Sequence, residues 1–186
     1  DVTLSQINVI SDLYGGDVFV FAPNGAIIDG GDTDSLGYGS ADINGSDGFV
    51  YYNLEVSFIA ANGIGETMGN GAVEIQATEV DAYTDNANQY LALGMNTAAI
   101  WMHAGTGFVS LSSLGDVQDD DGMYDIIAGT VDLSSITGAF GTATPLSLFD
   151  GNTNTMDLQI ANTGASLFAP GQGTSYLVNA APIDVT

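Results

Sequence analysis

The sequence contains no lysine, no arginine and no cysteine, and its only histidine is His103. Lysine and arginine together normally make up about a tenth of a protein, so their complete absence is a property of this chain and not a chance fluctuation. The absence excludes nucleic acid as a partner, because neutralising phosphates requires basic side chains. It also disfavours anionic membrane surfaces. Trypsin-like proteases find no side chain to recognise, which suits a location outside the cell.

Catalytic groups are scarce for the same reason. Without Cys, Lys or Arg there is no thiol nucleophile, no Schiff base and no planar clamp for a phosphate. His103 has no Ser-His-Asp context, and a packed or surface histidine is the favoured interpretation. Glu55 with Glu74 or Glu79 would suit a glycoside hydrolase, but outward glutamates on a solvated sheet are the ordinary case. The sequence therefore predicts a protein that is not an enzyme.

Acidity is combined with a high apolar content. The chain carries 23 acidic residues and a formal charge of -23, yet 45% of its 186 residues are hydrophobic, and its mean hydropathy is +0.22. Disorder requires low hydrophobicity as well as high charge, so we expect a folded protein, a single β-sandwich domain over residues 1–186. Nineteen of the acids are Asp, and Asp favours turns, which places most of the charge in loops.

Short β-prone runs separated by turn residues recur along the chain. Apolar and polar residues alternate over 49–61 and again over 72–80, where Glu74 and Gln76 are predicted to point outward. The segment Gln89–Ala104 is interpreted as two short strands. Alternation of this kind is typical of a half-buried antiparallel sheet. The pattern predicts an all-β fold, an antiparallel and jelly-roll-like β-sandwich of about 11–13 short strands.

Two segments are predicted to form β-hairpins. Asp17–Ala22 and Ala26–Ile28 flank a Pro-Asn-Gly turn, which is a strong reversal signal. Phe108–Leu114 and Met123–Leu133 flank an acid-rich loop. Leu-Ser-Ser occurs near the end of each of these last two segments, but no regular period runs through the chain, and a repeat protein is not predicted.

The acid-rich loop holds five carboxylates within ten residues. Counted from Val117, three of them fall at positions three, five and nine of a calcium loop, with Gly122 at six. Val117 and Ala128 occupy positions one and twelve, which excludes an EF-hand. A looser oxygen cage for calcium and a loop screened by water and salt both stay open. The candidate ligands are Asp116, Asp119, Asp121 and Asp125.

Two further loops place short oxygen ligands at alternate positions in a D-x-N-x-[NS] run, which suits a hard cation. Asx-turns produce the same spelling without a metal. A group of aspartates over 29–34 is a weaker candidate. The secondary ligand candidates are Asp42, Asn44, Asp150, Asn152 and Asn154.

Several aromatic residues are candidates for a sugar-binding platform, although core or interface positions are the simpler interpretation for most of them. The uncharged segments 86–115 and 158–183 are interrupted too often by polar residues for a membrane helix, and no membrane insertion is predicted. The aromatic candidates are Tyr51, Tyr52, Tyr83, Tyr90, Trp101 and Tyr176.

In composition the chain resembles secreted β-sandwich subunits of microbial pili and extracellular filaments. Some of these families assemble by donating a terminal strand to a neighbour's sheet, and Val2–Ile10 is similar in being terminal, apolar and strand-like. The resemblance implies a structural subunit of an extracellular filament, pilus-like fibre or surface layer that polymerises with itself. Residues 1–11 are then either a donated strand or the first strand of their own domain.

Charge adds a further expectation. Copies that each carry -23 repel one another, so we expect divalent cations, calcium first, to stabilise such an assembly. The alternative is a calcium-stabilised jelly-roll module that binds carbohydrate or serves in an adhesin. Both interpretations place the protein outside the cell or at its surface, with carbohydrate as a candidate partner for the second.

Overall fold

The computed structural model describes residues 1–9, 16–31, 41–45, 53–66, 71–118, 125–135, 138, 140, 146–150, 156–162, 177–179 and 183–185, the last four ranges as backbone. Within these ranges the regular structure is β-strand throughout, and no helix is present. Accordingly, no described segment is a helix of the length and apolarity needed to cross a membrane.

The strands are short and follow one another closely. Each is numbered in chain order: β1 Val2–Leu4, β2 Ile7–Asn8, β3 Gly16–Ala22, β4 Ile27–Asp29, β5 Ile43–Asn44, β6 Leu54–Ala60, β7 Val73–Gln76, β8 Glu79–Tyr83, β9 Gln89–Leu93, β10 Ala99–His103, β11 Phe108–Ser113, β12 Ile126–Ala128, β13 Thr130–Ser135, β14 Leu146–Asp150, β15 Met156–Asn162, β16 Leu177–Asn179 and β17 Ile183–Val185.

From β5 onward the strands alternate between two large sheets. Among the described residues, sheet I has seven strands in the order β3-β6-β8-β10-β12-β14-β16, and sheet II has eight in the order β2-β5-β7-β9-β11-β13-β15-β17. Strands β1 and β4 form a small third sheet. All pairings between these strands are parallel. The chain therefore winds as a two-sheet parallel β-solenoid, in which each turn adds one strand to each large sheet.

The prediction of an all-β chain is confirmed, but the predicted antiparallel, jelly-roll-like sandwich is wrong. Alternation of apolar and polar residues shows which side chains face a core and which face solvent. It does not show the direction of the neighbouring strand. Parallel sheets are usually covered by helices on both faces, whereas here sheet I keeps an outer face with exposed side chains. The polar residues on this outer face produce the alternation of apolar and polar residues that is typical of a half-buried antiparallel sheet. The alternation was therefore interpreted as antiparallel pairing.

Both predicted hairpins are also wrong. Strand β4 pairs with β1 and not with β3. Strands β11 and β13 are parallel neighbours in sheet II, and β12 between them belongs to sheet I. The two Leu-Ser-Ser triplets lie side by side, with Leu111 opposite Leu133 and Ser112 opposite Ser134. They are thus equivalent positions of successive turns, and the repeat that the sequence was predicted to lack is present.

The core lies between the two large sheets. From sheet I, Val20, Phe58, Ala82, Met102 and Ile126 are in register on successive strands and buried. Leucines of β9, β11 and β13 from sheet II belong to the same cluster. The inward face predicted for 54–58 is confirmed by this packing, as are the two short strands predicted within Gln89–Ala104.

Asparagine side chains between the strands accept hydrogen bonds from the backbone of the following turn of the solenoid. The amide oxygen Oδ1 of Asn88 accepts a hydrogen bond from the N–H of Phe108 at 3.0 Å, and that of Asn96 accepts from the N–H of Asp116 at 2.9 Å. In both pairs the partner lies 20 residues further along the chain. Inside, Gln89 Nε2 donates to the His103 carbonyl at 2.9 Å. The two asparagine bonds join equivalent positions of successive turns of the solenoid, which are 20 residues long in this part of the chain.

The N-terminal segment pairs within its own chain. Val2–Leu4 lies beside Ile27–Asp29, and Ile7–Asn8 lies beside Ile43–Asn44. This is the intramolecular arrangement of the two that the sequence left open. Donation of residues 1–11 to another copy stays a prediction.

Candidate functional site

Three carboxylates from different turns of the chain meet beside sheet II. Asp29 ends β4, Asp42 directly precedes β5, and Glu74 lies in β7. One carboxylate oxygen of each lies within 4.8 Å of an oxygen of both others. Asp42 is 0% exposed and Glu74 is 2% exposed, whereas Asp29 is half-buried. We call these three residues the carboxylate cluster.

The strand register produces the cluster. Ile43 of β5 lies opposite Ile75 of β7, and both are buried in the core. The preceding residues, Asp42 and Glu74, are therefore neighbours on the opposite face. The N–H of Glu74 donates a hydrogen bond to Oδ2 of Asp42 at 3.2 Å, which orients that carboxylate. Strand β4 packs against β7 and brings Asp29 to the same place.

Electrostatics make the cluster unusual. Burying an ionised carboxylate is costly unless its charge is compensated, and two carboxylates at close range disfavour each other's charge. The chain has no Lys or Arg to compensate either one. Hydrogen bonds from neutral donors, bound protons or a bound metal cation must therefore compensate the charge.

The donor set fits calcium. Calcium takes 6–8 oxygen ligands at 2.3–2.6 Å, so two oxygens on the same ion lie at most about 5 Å apart. The 4.8 Å limit between the three carboxylates falls inside this range. Three carboxylates offer up to six oxygens, and each is a hard donor of the kind that calcium prefers.

The predicted ligands that the structure describes lie in different parts of it and do not form one site. Asp42 belongs to the carboxylate cluster, and the amide Nδ2 of the buried Asn44 donates to Oδ1 of Asn8 at 3.2 Å. Asp116 and Asp125 lie at the two ends of the acid-rich loop, where Asp116 is half-buried and Asp125 is buried. Asp150 is described only as backbone in β14. The remaining candidates lie outside the described residues: Asp119, Asp121, Asn152 and Asn154.

Glu74 was not predicted as a metal ligand, because the sequence prediction placed it and Gln76 in solvent. Both are on the face opposite the core, as predicted, but both are buried there. A signal existed in the sequence. Asp42-Ile-Asn44 and Glu74-Ile-Gln76 share the order acid, isoleucine, amide, and the two triplets are in register. When the two triplets are aligned as equivalent positions of successive turns, Asp42 and Glu74 are predicted to lie side by side.

A second candidate surface is the outer face of sheet I. Phe19 is 62% exposed, Phe21 is 53% exposed, and Trp101 is 37% exposed. The rings of Tyr83 and His103 stack with centroids 4.9 Å apart and planes at 6°. The Trp101 ring lies 5.9 Å from that of His103 and 6.2 Å from that of Tyr83. We call these five residues the aromatic face.

The aromatic candidates from the sequence separate into two groups. Tyr83 and Trp101 belong to the aromatic face, and the His103 ring stacks against both of them. Tyr90 lies on sheet II beside an open groove of about 530 Å³, which Glu66 and Asn88 also line. Tyr51, Tyr52 and Tyr176 are outside the part of the chain that the structure describes.

No protein-family model matches the chain, and neither a curated protein nor a solved structure matches it.

Proposed function

We propose that this chain is a structural subunit of an extracellular filament or surface layer, and that bound calcium stabilises it. The observation that carries the proposal is the parallel solenoid. Each turn presents to the next a ladder of backbone donors and acceptors. In the described parts of the two large sheets, the outermost strands have a neighbour on one side only, and these are β2 and β3 at one end and β16 and β17 at the other. An open edge of this kind is a template for another chain.

End-to-end assembly suits this geometry. A copy placed on the open end continues the parallel pairing in the direction in which the solenoid already grows. Such a contact joins two different surfaces of the subunit. Repeated head-to-tail contacts generate a filament when the rotation between successive subunits does not close the assembly into a ring. The lack of a basic target for trypsin-like proteases supports a location outside the cell.

Blocking one end tests the assembly. Asn8→Lys places a charge on the edge strand β2, and a lysine on an edge opposes further pairing. We expect purified wild-type protein to form filaments visible by negative-stain electron microscopy in millimolar calcium, and we expect the variant to stay short. Asn62→Lys makes the same change at an exposed turn and should assemble like the wild type.

The melting temperature of each variant separates blocked assembly from unfolding, because Asn8 also accepts a hydrogen bond from Asn44. Wild-type protein that sediments as a monomer under all these conditions would overturn the filament proposal. So would filaments formed equally well by Asn8→Lys and Asn62→Lys.

Calcium is expected to raise the melting temperature through the carboxylate cluster. A ligand present at a hundred times its dissociation constant stabilises the folded state by about 2.7 kcal/mol, which corresponds to roughly 5–10 °C for a chain of this size. The measurement is thermal unfolding with EDTA and then with added calcium at constant ionic strength. We expect Glu74→Gln to reduce the calcium-dependent shift.

The matched control for this experiment is Glu66→Gln, which makes the same change at an exposed position and should keep the full shift. Identical melting temperatures in EDTA and calcium would contradict a calcium site anywhere in the protein. A shift that Glu74→Gln leaves intact would move the site away from the carboxylate cluster.

We also propose, as a second candidate, that the chain binds carbohydrate and serves in adhesion. The observation that favours this function is the aromatic face, because large exposed rings mark interaction surfaces. In this alternative the solenoid is the rigid support and the outer face of sheet I is the binding surface. The two candidates are compatible, since assembly uses the ends of the solenoid and binding uses its side.

A further inference from the structure

We infer that the outer face of sheet I binds a linear polysaccharide of amino sugars with free amines, laid along the axis of the solenoid. The inference rests on the carbohydrate-binding candidate and names the class of sugar. It follows from three features of this face, which are its exposed rings, its row of carboxylates and the spacing of both along the axis.

The rings form ordered rows. Parallel register places Phe21, Ile59, Tyr83 and His103 side by side on β3, β6, β8 and β10. A neighbouring row contains Trp101, together with Phe19 at its other end. Rings that stack on one another are held in place before a ligand arrives, which reduces the entropy lost on binding. The apolar C–H faces of sugar rings pack favourably on aromatic surfaces of this kind.

A row of carboxylates runs beside the rings. Asp17, Glu55 and Glu79 are in register on β3, β6 and β8, so they follow one another at the strand spacing of about 4.8 Å. Asp17 and Glu55 are exposed, and Glu79 is partly exposed. Like charges directly beside each other on a sheet are destabilising. A ligand that brings positive charges along this row would reduce this repulsion.

The charge pattern also selects the kind of partner. A second copy of this chain has no Lys or Arg to offer, and it would add further negative charge to the face. A neutral sugar would use the rings but not the carboxylates. An amino-sugar chain uses both, because its rings pack on the aromatic row while the ammonium groups along one edge of the chain pair with the acidic row.

The spacing favours a sugar chain over a basic peptide. Side chains on one side of an extended peptide repeat every two residues, or about 6.7 Å, which leaves register with strands about 4.8 Å apart within two steps. An extended chain of equatorially linked pyranose rings advances by roughly the length of one ring for each sugar. In a β-1,4-linked chain each ring is turned over relative to the one before it, so the amines on one edge of the chain repeat every two rings. That repeat is close to two strand spacings, or about 9.6 Å, so the amines on one edge stay in register with every second carboxylate.

The test is isothermal titration calorimetry of the calcium-loaded protein with a hexamer of β-1,4-linked glucosamine. The fully N-acetylated hexamer, the glucose hexamer and hexalysine are the comparison ligands. We expect the glucosamine hexamer to bind at least about tenfold more tightly than the two uncharged hexamers. Loss of one ring contact in Trp101→Ala should weaken its binding by about five- to tenfold, and Glu55→Gln should weaken it as well.

Net charge alone would attract any polycation to this protein, and the controls address this. Glu66→Gln makes the same charge change as Glu55→Gln away from the face, and Tyr90→Ala removes a ring on sheet II. Both should bind the glucosamine hexamer like the wild type. Equal losses in Glu55→Gln and Glu66→Gln would show attraction by net charge only and would overturn the inference.

The remaining outcomes are also decisive. Hexalysine bound as tightly as the glucosamine hexamer, and weakened by Trp101→Ala, would identify a basic protein as the partner and overturn the inference. Uncharged hexamers bound equally well, with loss in Trp101→Ala, would overturn the amino-sugar inference and leave carbohydrate binding supported. Binding of none of the sugar hexamers would overturn both.

Discussion

Phe58→Ala is expected to lower the free energy of unfolding by about 3–5 kcal/mol. The ring is 1% exposed and lies in β6 between Val20 and Ala82 of the adjacent strands. Its truncation removes apolar burial and leaves a cavity between the two sheets, because the backbone ladders on either side prevent the gap from closing. Urea denaturation followed by circular dichroism measures the loss.

Phe19→Ala is the matched control. Phe19 belongs to the adjacent strand of the same sheet, but its ring is 62% exposed, and a surface truncation is expected to change stability by no more than about 0.5 kcal/mol. A loss for Phe19→Ala as large as that for Phe58→Ala would show that the two faces of sheet I have been assigned wrongly.

Gly105→Ala is expected to be nearly as damaging, with a loss of about 2–5 kcal/mol. Gly105 has a φ of +56°, and a Cβ atom there would lie 2.2 Å from the Asp85 carbonyl oxygen and 2.6 Å from Oδ1 of Asn86. The left-handed backbone costs an L-residue about 1–2 kcal/mol, and overpacking adds about 1–3 kcal/mol. The same Asn86 oxygen accepts a hydrogen bond from the N–H of Thr106, so movement away from the new methyl group breaks a contact between turns.

Gly31→Ala separates the two contributions. Gly31 has a similar φ of +72°, but no atom of the described residues lies within 4 Å of the position of its Cβ. We expect this variant to lose only the backbone contribution, about 1–2 kcal/mol. Equal losses in the two variants, measured by the same urea denaturation, would mean that the close approach of the turns at Gly105 contributes nothing.

The sequence predicted which face of a strand is buried better than it predicted which strands lie beside it and in which direction they run. The period of two in 54–58 identifies inward residues whatever the direction of the adjacent strand, and these residues are buried as predicted. The direction of the adjacent strand depends on the path by which the chain returns to the same sheet. In a solenoid the return passes through the opposite sheet, so strands that are consecutive in the sequence belong to different sheets. The paired Leu-Ser-Ser triplets were the available sign of this arrangement, but turns of unequal length hid the period.

The prediction of metal ligands was limited in the same way, because it used only residues that are close together in the sequence. Asp42 was predicted as a ligand from its local spacing to Asn44, which is the logic of a loop that wraps its own ion. Its acidic neighbours instead come from other turns, Asp29 from β4 and Glu74 from β7. A site made by lateral stacking has no fixed spacing along the sequence. It becomes predictable once equivalent triplets are aligned, because the register then brings acid beside acid.

The parallel winding also has a mechanical consequence. The hydrogen bonds that join neighbouring strands run along the axis of the solenoid, and each turn contacts mainly the turns before and after it. Tension applied to the two ends of such a rod loads these contacts in series, and the outermost turn yields first. A fibre built from this protein would lengthen by releasing one turn at a time, and it would shorten again as each released turn rewinds onto the edge left behind.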